Sequence, residues 1–241
     1  MELTKVQEWL WFGFVGLSAG SLVILYLLNK LPAKLRFHGL MALLITSLAT
    51  ISYYALARGQ ADVMVAGHVV YFGRYLDWLF TTPLLLLSLL VIALPSLKST
   101  ENSRQRASLI ATVLVSDVLM IVTGLFADLS TNNVDRSVWY VASCLWFLVV
   151  LWKMYGEVKA IANSQNHHVA KAYNQLLSFL TVAWFCYPIV WLLGTSGYSL
   201  ITLAQETAFY AVLDVSAKAV FGILVVLSIT KLHQADSHVV K

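Results

Sequence analysis

The sequence predicts an all-α fold, a seven-transmembrane-helix bundle, and three observations carry that expectation. Of 241 residues, 59% are hydrophobic and 12% charged, with a mean hydropathy of +0.76, a balance foreign to an ordinary water-soluble domain. Apolar stretches recur at 9–29, 39–57, 75–97, 107–127, 137–155, 172–194 and 200–230, each about the helix length that crosses ~30 Å of hydrocarbon. No connecting stretch is long enough for a soluble domain, and neither a solenoid-type repeat nor a low-complexity linker interrupts the series. A single membrane domain over 1–241 is expected.

Each span has its own reason. In the first, Glu2, Lys5 and Glu8 precede an apolar run of about 20 residues, longer than the core of a cleavable leader, so this helix is expected to remain in the mature protein. The second span, 39–57, is apolar throughout and holds no histidine. Between the second and third lies the longest polar connection on its side, 58–73, where the Val-rich arms of DVMVAGHVVYF around Gly67 predict a short capping hairpin. The third span carries Arg74, Asp77, Thr81 and Ser88 at separations of three, four and seven, which places all four on one helical stripe. The fourth holds Asp117 and the fifth Tyr140. In the sixth, Trp184, Tyr187 and Trp191 share one face, and Pro188 should kink the helix and open space beside it. The seventh holds Asp214 and Lys218, four residues apart and so stacked on one face. Cys144 and Cys186, isolated in apolar runs without metal-ligand spacing, read as buried small residues, and no metal is expected.

The net charge of +4 does not point to nucleic acid, because the cations flank the spans instead of forming a stripe or tail. Loops one, three and five and the C-terminus carry Lys30, Lys34, Arg36, Lys98, Arg104, Arg106, Lys153, Lys159, Lys171, Lys231 and Lys241, against Lys5, Arg58 and Arg136 on the other side. Positive charge accumulates on the cytoplasmic face, so the N-terminus is expected outside and the C-terminus in the cytoplasm.

Ionisable groups inside a membrane are costly and mark functional candidates. The sequence offers four: Asp77, Asp117, Asp214 and Lys218. The bland reading of Asp214 and Lys218 is a structural ion pair, and the functional reading outweighs it. A buried amine tends to lose its proton, whereas a cationic imine formed from it stays charged beside carboxylates, a role that suits Asp77 and Asp214 with Arg74 balancing them. The aromatic set Tyr75, Trp78, Tyr140, Trp184, Tyr187 and Trp191 reads either as packing or an interfacial belt, or, facing a buried lysine, as a flat apolar slot for a polyene.

These residues also carry a resemblance. The segments RYLDWLFTTPLLLLSL at 74–89, WFCYPIVWLLG at 184–194 and LDVSAKAVFG at 213–222 resemble the microbial rhodopsins along nearly the whole chain, near bacteriorhodopsin and particularly the cyanorhodopsin group. The resemblance implies all-trans retinal bound to Lys218 as a protonated Schiff base, Asp77 as primary proton acceptor, Asp214 as second counterion, Arg74 as the gated arginine below them, and Glu206 in the extracellular proton-release region. The implied retinal slot comprises Tyr75, Trp78, Thr82, Leu85, Met120, Gly124, Tyr140, Ser143, Trp184, Tyr187, Pro188 and Trp191. Asp117 and Thr82 are implied as an interhelical hydrogen-bonded pair, with Asp117 protonated and structural. A homo-oligomer, with a trimer favoured, is common among the proteins it resembles.

Three positions depart from that pattern. Ser88 stands where outward pumps usually carry the carboxylate that reprotonates the imine; Ser196 stands where bacteriorhodopsin has a second release glutamate; and the histidine partner seen in proteorhodopsin-like pumps is absent from the second span. Tyr140 occupies the position where antenna-binding relatives have glycine, so no carotenoid antenna is expected. The function implied is a light-driven outward proton pump and not an enzyme, in which Asp77 and Thr81 serve proton transfer. The alternative is a sensory rhodopsin signalling to a partner, since Ser88 also occurs in a cyanobacterial sensory rhodopsin and in inward-pumping xenorhodopsins. Those relatives have proline where this chain keeps Asp214. A chloride pump would lack the carboxylate at 77, a sodium pump would carry asparagine there, and a channel would show a row of glutamates on the second helix. A retinal-free transporter built on the Lys–Asp pair stands only outside the resemblance.

Overall fold

Hydrocarbon offers no partner to a peptide N–H or C=O, so a spanning chain must satisfy its backbone internally, and this one does so as helix. The computed structural model describes residues 2–94 and 103–239. Seven helices in it are long and apolar enough to cross a membrane. They are α1 (Glu2–Lys30), α2 (Arg36–Ala57), α3 (Phe72–Ala93), α4 (Ser103–Leu129), α5, α6 (His167–Leu193) and α7. Helix α5 starts as Asn133–Lys153 and passes through a widened π turn at Met154–Val158 to Asn163; α7 starts as Leu203–Asp214, widens over Val215–Val220 and continues as Phe221–Val239.

Helix ends fall where caps put them, not where hydropathy changes. Asn132 accepts from the Asp135 amide at 2.8 Å and Asn166 from that of Val169 at 2.9 Å, so α5 and α6 begin several residues before their apolar stretches. At α7, Thr202 and Gln205 form a capping box, which starts the helix at Leu203 instead of 200. Helix α3 was expected to run to 97 but stops at Ala93, with Leu94 extended; 95–97 lie outside the described residues, as do Lys98 and Lys241 of the charge count.

The helices pack in chain order around a ring that α7 closes against α1 and α2, and α3 and α7 are its most buried members. Their outward faces carry exposed Leu22, Ile51, Phe80, Leu148, Val182 and Val212, the surface expected where lipid is the solvent. The expected hairpin is present: β1 (Val63–Val65) pairs antiparallel with β2 (His68–Val70). Its turn places Ala66 at φ 47° and Gly67 at φ 87°, two successive left-handed residues that match a primed two-residue turn. This hairpin marks one end of the bundle. The cysteines are free and half-buried, not buried as expected. Cys144 faces the internal cavity described below.

Candidate functional site

At the centre of the bundle, the π turn of α7 carries Lys218, which is 1% exposed. Its Nζ sits 2.5 Å from Asp77 Oδ2 on α3 and 2.7 Å from Asp214 Oδ1 one turn earlier on α7. Two carboxylates therefore face one amine, but their surroundings differ. Asp214 is saturated: Oδ1 also accepts from Trp78 Nε1 at 3.1 Å and Tyr187 Oη at 2.9 Å, and Oδ2 accepts from Tyr53 Oη at 2.8 Å. Asp77 Oδ1 is buried without any hydrogen-bond partner. Thr81 donates to the Asp77 carbonyl at 2.8 Å, one turn along the same stripe.

Tyr53 on α2 is a site residue that sequence reading missed. Its only sequence signal is a polar-tipped ring in an apolar span, and the facing position explains its placement: a Cβ on Gly13 would lie 2.2 Å from the Tyr53 ring. The bare backbone of α1 thus seats the phenol that holds Asp214.

Beside Lys218 an internal cavity of about 110 Å³ runs between α3, α4, α5 and α6. All twelve slot residues expected from the resemblance line it, from Tyr75, Trp78, Thr82 and Leu85 through Met120, Gly124, Tyr140 and Ser143 to Trp184, Tyr187, Pro188 and Trp191. Ile121, Cys144, Phe147, Tyr210 and Ala217 complete the wall and escaped the sequence reading, because apolar residues of a membrane helix give no signal for which face turns inward. Pro188 has no amide to give the Trp184 carbonyl, and its own carbonyl accepts from Tyr140 Oη at 3.1 Å. The Tyr140 ring stacks on Trp191 with centroids 4.7 Å apart, and both rings line the cavity. The lining is aromatic and aliphatic, with one primary amine at one end and Trp191 Nε1 buried without a partner. Such a wall fits a long apolar polyene joined to the amine.

Thr82 Oγ1 donates to Asp117 Oδ2 at 2.8 Å, the expected α3–α4 pair, and leaves Asp117 Oδ1 unpartnered. Ser88 is 3% exposed and donates to the Leu84 carbonyl at 2.9 Å. It lies in the half of α3 away from the hairpin, on the same helix as Leu85, Leu86, Leu89 and Leu90 of the main apolar core.

Toward the hairpin the geometry adds to two expectations. Arg74 does not bridge to Asp77 or Asp214; its Nη1 lies 3.7 Å from Glu206 Oε1, and its Nη2 donates to Thr207 Oγ1 at 3.1 Å. The guanidinium is held over the rings of Tyr71 and Tyr210 at 4.6 and 4.7 Å. Burial pushes the Tyr71 hydroxyl above its ordinary pKa, which keeps it neutral next to Arg74. The four intramembrane ionisable groups expected from sequence are joined by Arg74, Asp128 and Glu206, all buried. Glu206 Oε2 accepts from the amide and hydroxyl of Thr195 at 2.8 and 2.9 Å, a close approach that needs Gly194, where a Cβ would stand 2.6 Å from the carboxyl.

A seven-helix membrane bundle whose buried lysine lies between two carboxylates at the end of an aromatic slot has the architecture of a rhodopsin of the microbial type. The chain belongs to the bacteriorhodopsin-like family, whose model, described as "Bacteriorhodopsin-like protein", matches residues 4–232. It is 35% identical to the bacteriorhodopsin of Haloterrigena sp. (strain arg-4) over 229 residues, covering 91% of this chain and 86% of that one. Among solved structures it is similar to cyanorhodopsin N2098R from Calothrix sp. NIES-2098, with 34% identity, TM-score 0.84 and 93% and 94% of the two chains covered. It is also similar to the light-driven proton pump rhodopsin of Coccomyxa subellipsoidea, with 34% identity, TM-score 0.83 and 93% and 96% covered. The protein is accordingly a multi-pass integral protein of the cell membrane.

Proposed function

We propose that this protein is a light-driven proton pump that moves protons outward, toward the hairpin end, using all-trans retinal held on Lys218 as a protonated Schiff base. The observation that carries the reading is the inequality of the two carboxylates at one amine: Asp214 is saturated by four donors, whereas Asp77 keeps a buried oxygen free. A saturated carboxylate is a fixed counterion, and one with an open lone pair can take a proton. Retinal, when bound, supplies the absorption of light and a change of shape that alters the hold on the imine proton. Asp77 takes that proton, Thr81 lies one turn on along the same stripe, and Asp214 holds its charge through Tyr53, Trp78 and Tyr187. Arg74, turned toward Glu206, links the central site to the hairpin end. On the opposite side Ser88 relays protons through its hydroxyl without storing one.

The direction rests on charge. The end of the bundle away from the hairpin carries most of the Lys and Arg, which supports a cytoplasmic location for that end. Neighbouring structures that include a light-driven proton pump support this function over a signalling role. The test is illumination of cells that express the chain with added all-trans retinal while external pH is recorded. Acidification abolished by a protonophore is expected; a coloured protein that leaves external pH unchanged in the light would refute pumping.

A further inference from the structure

We propose that Asp128 and Glu206 together hold the outgoing proton at the hairpin end and that it leaves through the imidazole of His68, an assignment that rests on the pump reading above. Asp128 stands in the last turn of α4, where sequence gives it the look of a loop acid, yet it is only 6% exposed. Its Oδ1 has no hydrogen-bond partner. The hydroxyls of Tyr75 from α3 and Ser196 from the α6–α7 connection stand beside its carboxyl, and Glu206 of α7 acts on it electrostatically. Asp128, Glu206 and Arg74 line one narrow cavity with Tyr71, Tyr75 and Tyr210. At about 10 Å³ it has room for about one water.

Two carboxylates thus line one narrow cavity with one guanidinium, which pairs with Glu206, in a space walled by aromatic rings. One fixed positive charge balances one of them, and the other is held most cheaply with a proton, since like charges at close range in a dry site oppose each other. Glu206 is the member tied to Thr195 and Arg74; Asp128 is the member with an open oxygen. The second acid that Ser196 fails to provide is supplied from a different helix.

The exit is the hairpin. His68 Nε2 lies 3.8 Å from Asp128 Oδ1 and 3.2 Å from the Asp128 carbonyl oxygen, and its side chain is 10% exposed at the rim. With the ring proton on Nδ1, Nε2 takes the carboxyl proton of Asp128 after a small rotation of the carboxyl. Nδ1 gives its own proton to the outside, and the ring is left neutral with Nε2–H donating to the Asp128 carbonyl. Exchange of ring protons with outside water returns the proton to Nδ1 before the next turnover.

The retinal-loaded full chain in lipid vesicles tests this. A flash is followed by two signals: the absorbance change that marks loss of the imine proton, and a pH-indicating dye outside the membrane. Asp128→Asn and His68→Gln should each delay the dye signal relative to imine deprotonation by roughly a hundredfold or more, the low edge of what a positioned proton-transfer group contributes. Asp128→Asn should also remove a carboxyl band from the light-minus-dark infrared spectrum, and Asp128→Glu should restore both release and band, which a purely structural role would not require. Dye signals with the wild-type delay in both His68→Gln and Asp128→Asn would overturn the assignment. A wild-type pigment that loses the imine proton but never acidifies the outside would instead refute the pump reading beneath it.

Discussion

Asp77 and Asp214 touch the same amine, and what separates them is the count of remaining donors. Lys218 Nζ reaches both, but Tyr53, Trp78 and Tyr187 all spend their hydrogen on Asp214. A proton arriving on Asp214 would displace satisfied bonds in a dry interior, whereas on Asp77 it meets an oxygen with none. Replacing Asp77 by asparagine is therefore expected to shift the pigment's absorption to the red, because the cation loses a counterion, and to abolish light-driven acidification. Persistent acidification by that variant would move the acceptor role elsewhere. Lys218→Ala is expected to give a colourless protein on addition of retinal, since among the lysines of the described residues only Lys218 is buried. Visible absorbance in that variant would refute the attachment site.

At the scale of elements, the site is held by how closely helices approach. Helix α1 contributes no group to the lysine, but its Gly13 admits the Tyr53 ring from α2, and Tyr53 holds Asp214 on α7. Gly13→Val should force the ring aside, at a cost of about 1–3 kcal/mol for overpacking. A lowered melting temperature together with a shifted absorption maximum is expected; an unchanged spectrum would show that Tyr53 does not tune the site. Tyr140 from α5 stacks on Trp191 from α6 in the slot wall and puts a ring where antenna-binding relatives have glycine. An added hydroxylated carotenoid is accordingly expected to contribute no bands to the action spectrum of pumping, and Tyr140→Gly is the variant that should admit them.

Across the whole molecule the acids are distributed unequally. Among the described residues, Asp77, Asp117, Asp128, Glu206 and Asp214 are the buried ones, while the half around Ser88 is packed with leucine, valine and phenylalanine. With no internal store on that side, the returning proton must come from bulk water or loop groups. Reprotonation of the imine is expected to slow steeply as pH rises, because the supply falls tenfold per unit. Ser88→Asp should speed it and flatten the dependence. Flash photometry between about pH 6 and 9, a range in which an ordinary carboxyl no longer stores a proton, measures both; a wild-type rate already fast and independent of pH would reveal a donor not visible in this arrangement.

The sequence by itself determined the class of fold, because seven apolar stretches of membrane length leave the backbone no choice but helix. It also determined the α3 and α7 residues of the site, because charges in such stretches are rare and their spacings of three and four put them on one face. Helix ends were less legible: caps such as Thr202 with Gln205 set them, and these two lie inside the apolar stretch that begins at 200. Only the tertiary structure decided which apolar residues turn inward, that Tyr53 crosses from α2 to Asp214, and that Arg74 turns away from Asp77 to Glu206. It also decided that Asp128 is buried beside that arginine. Each of these is a meeting between helices distant in sequence, and periodicity within one helix carries no information about the face its neighbour presents.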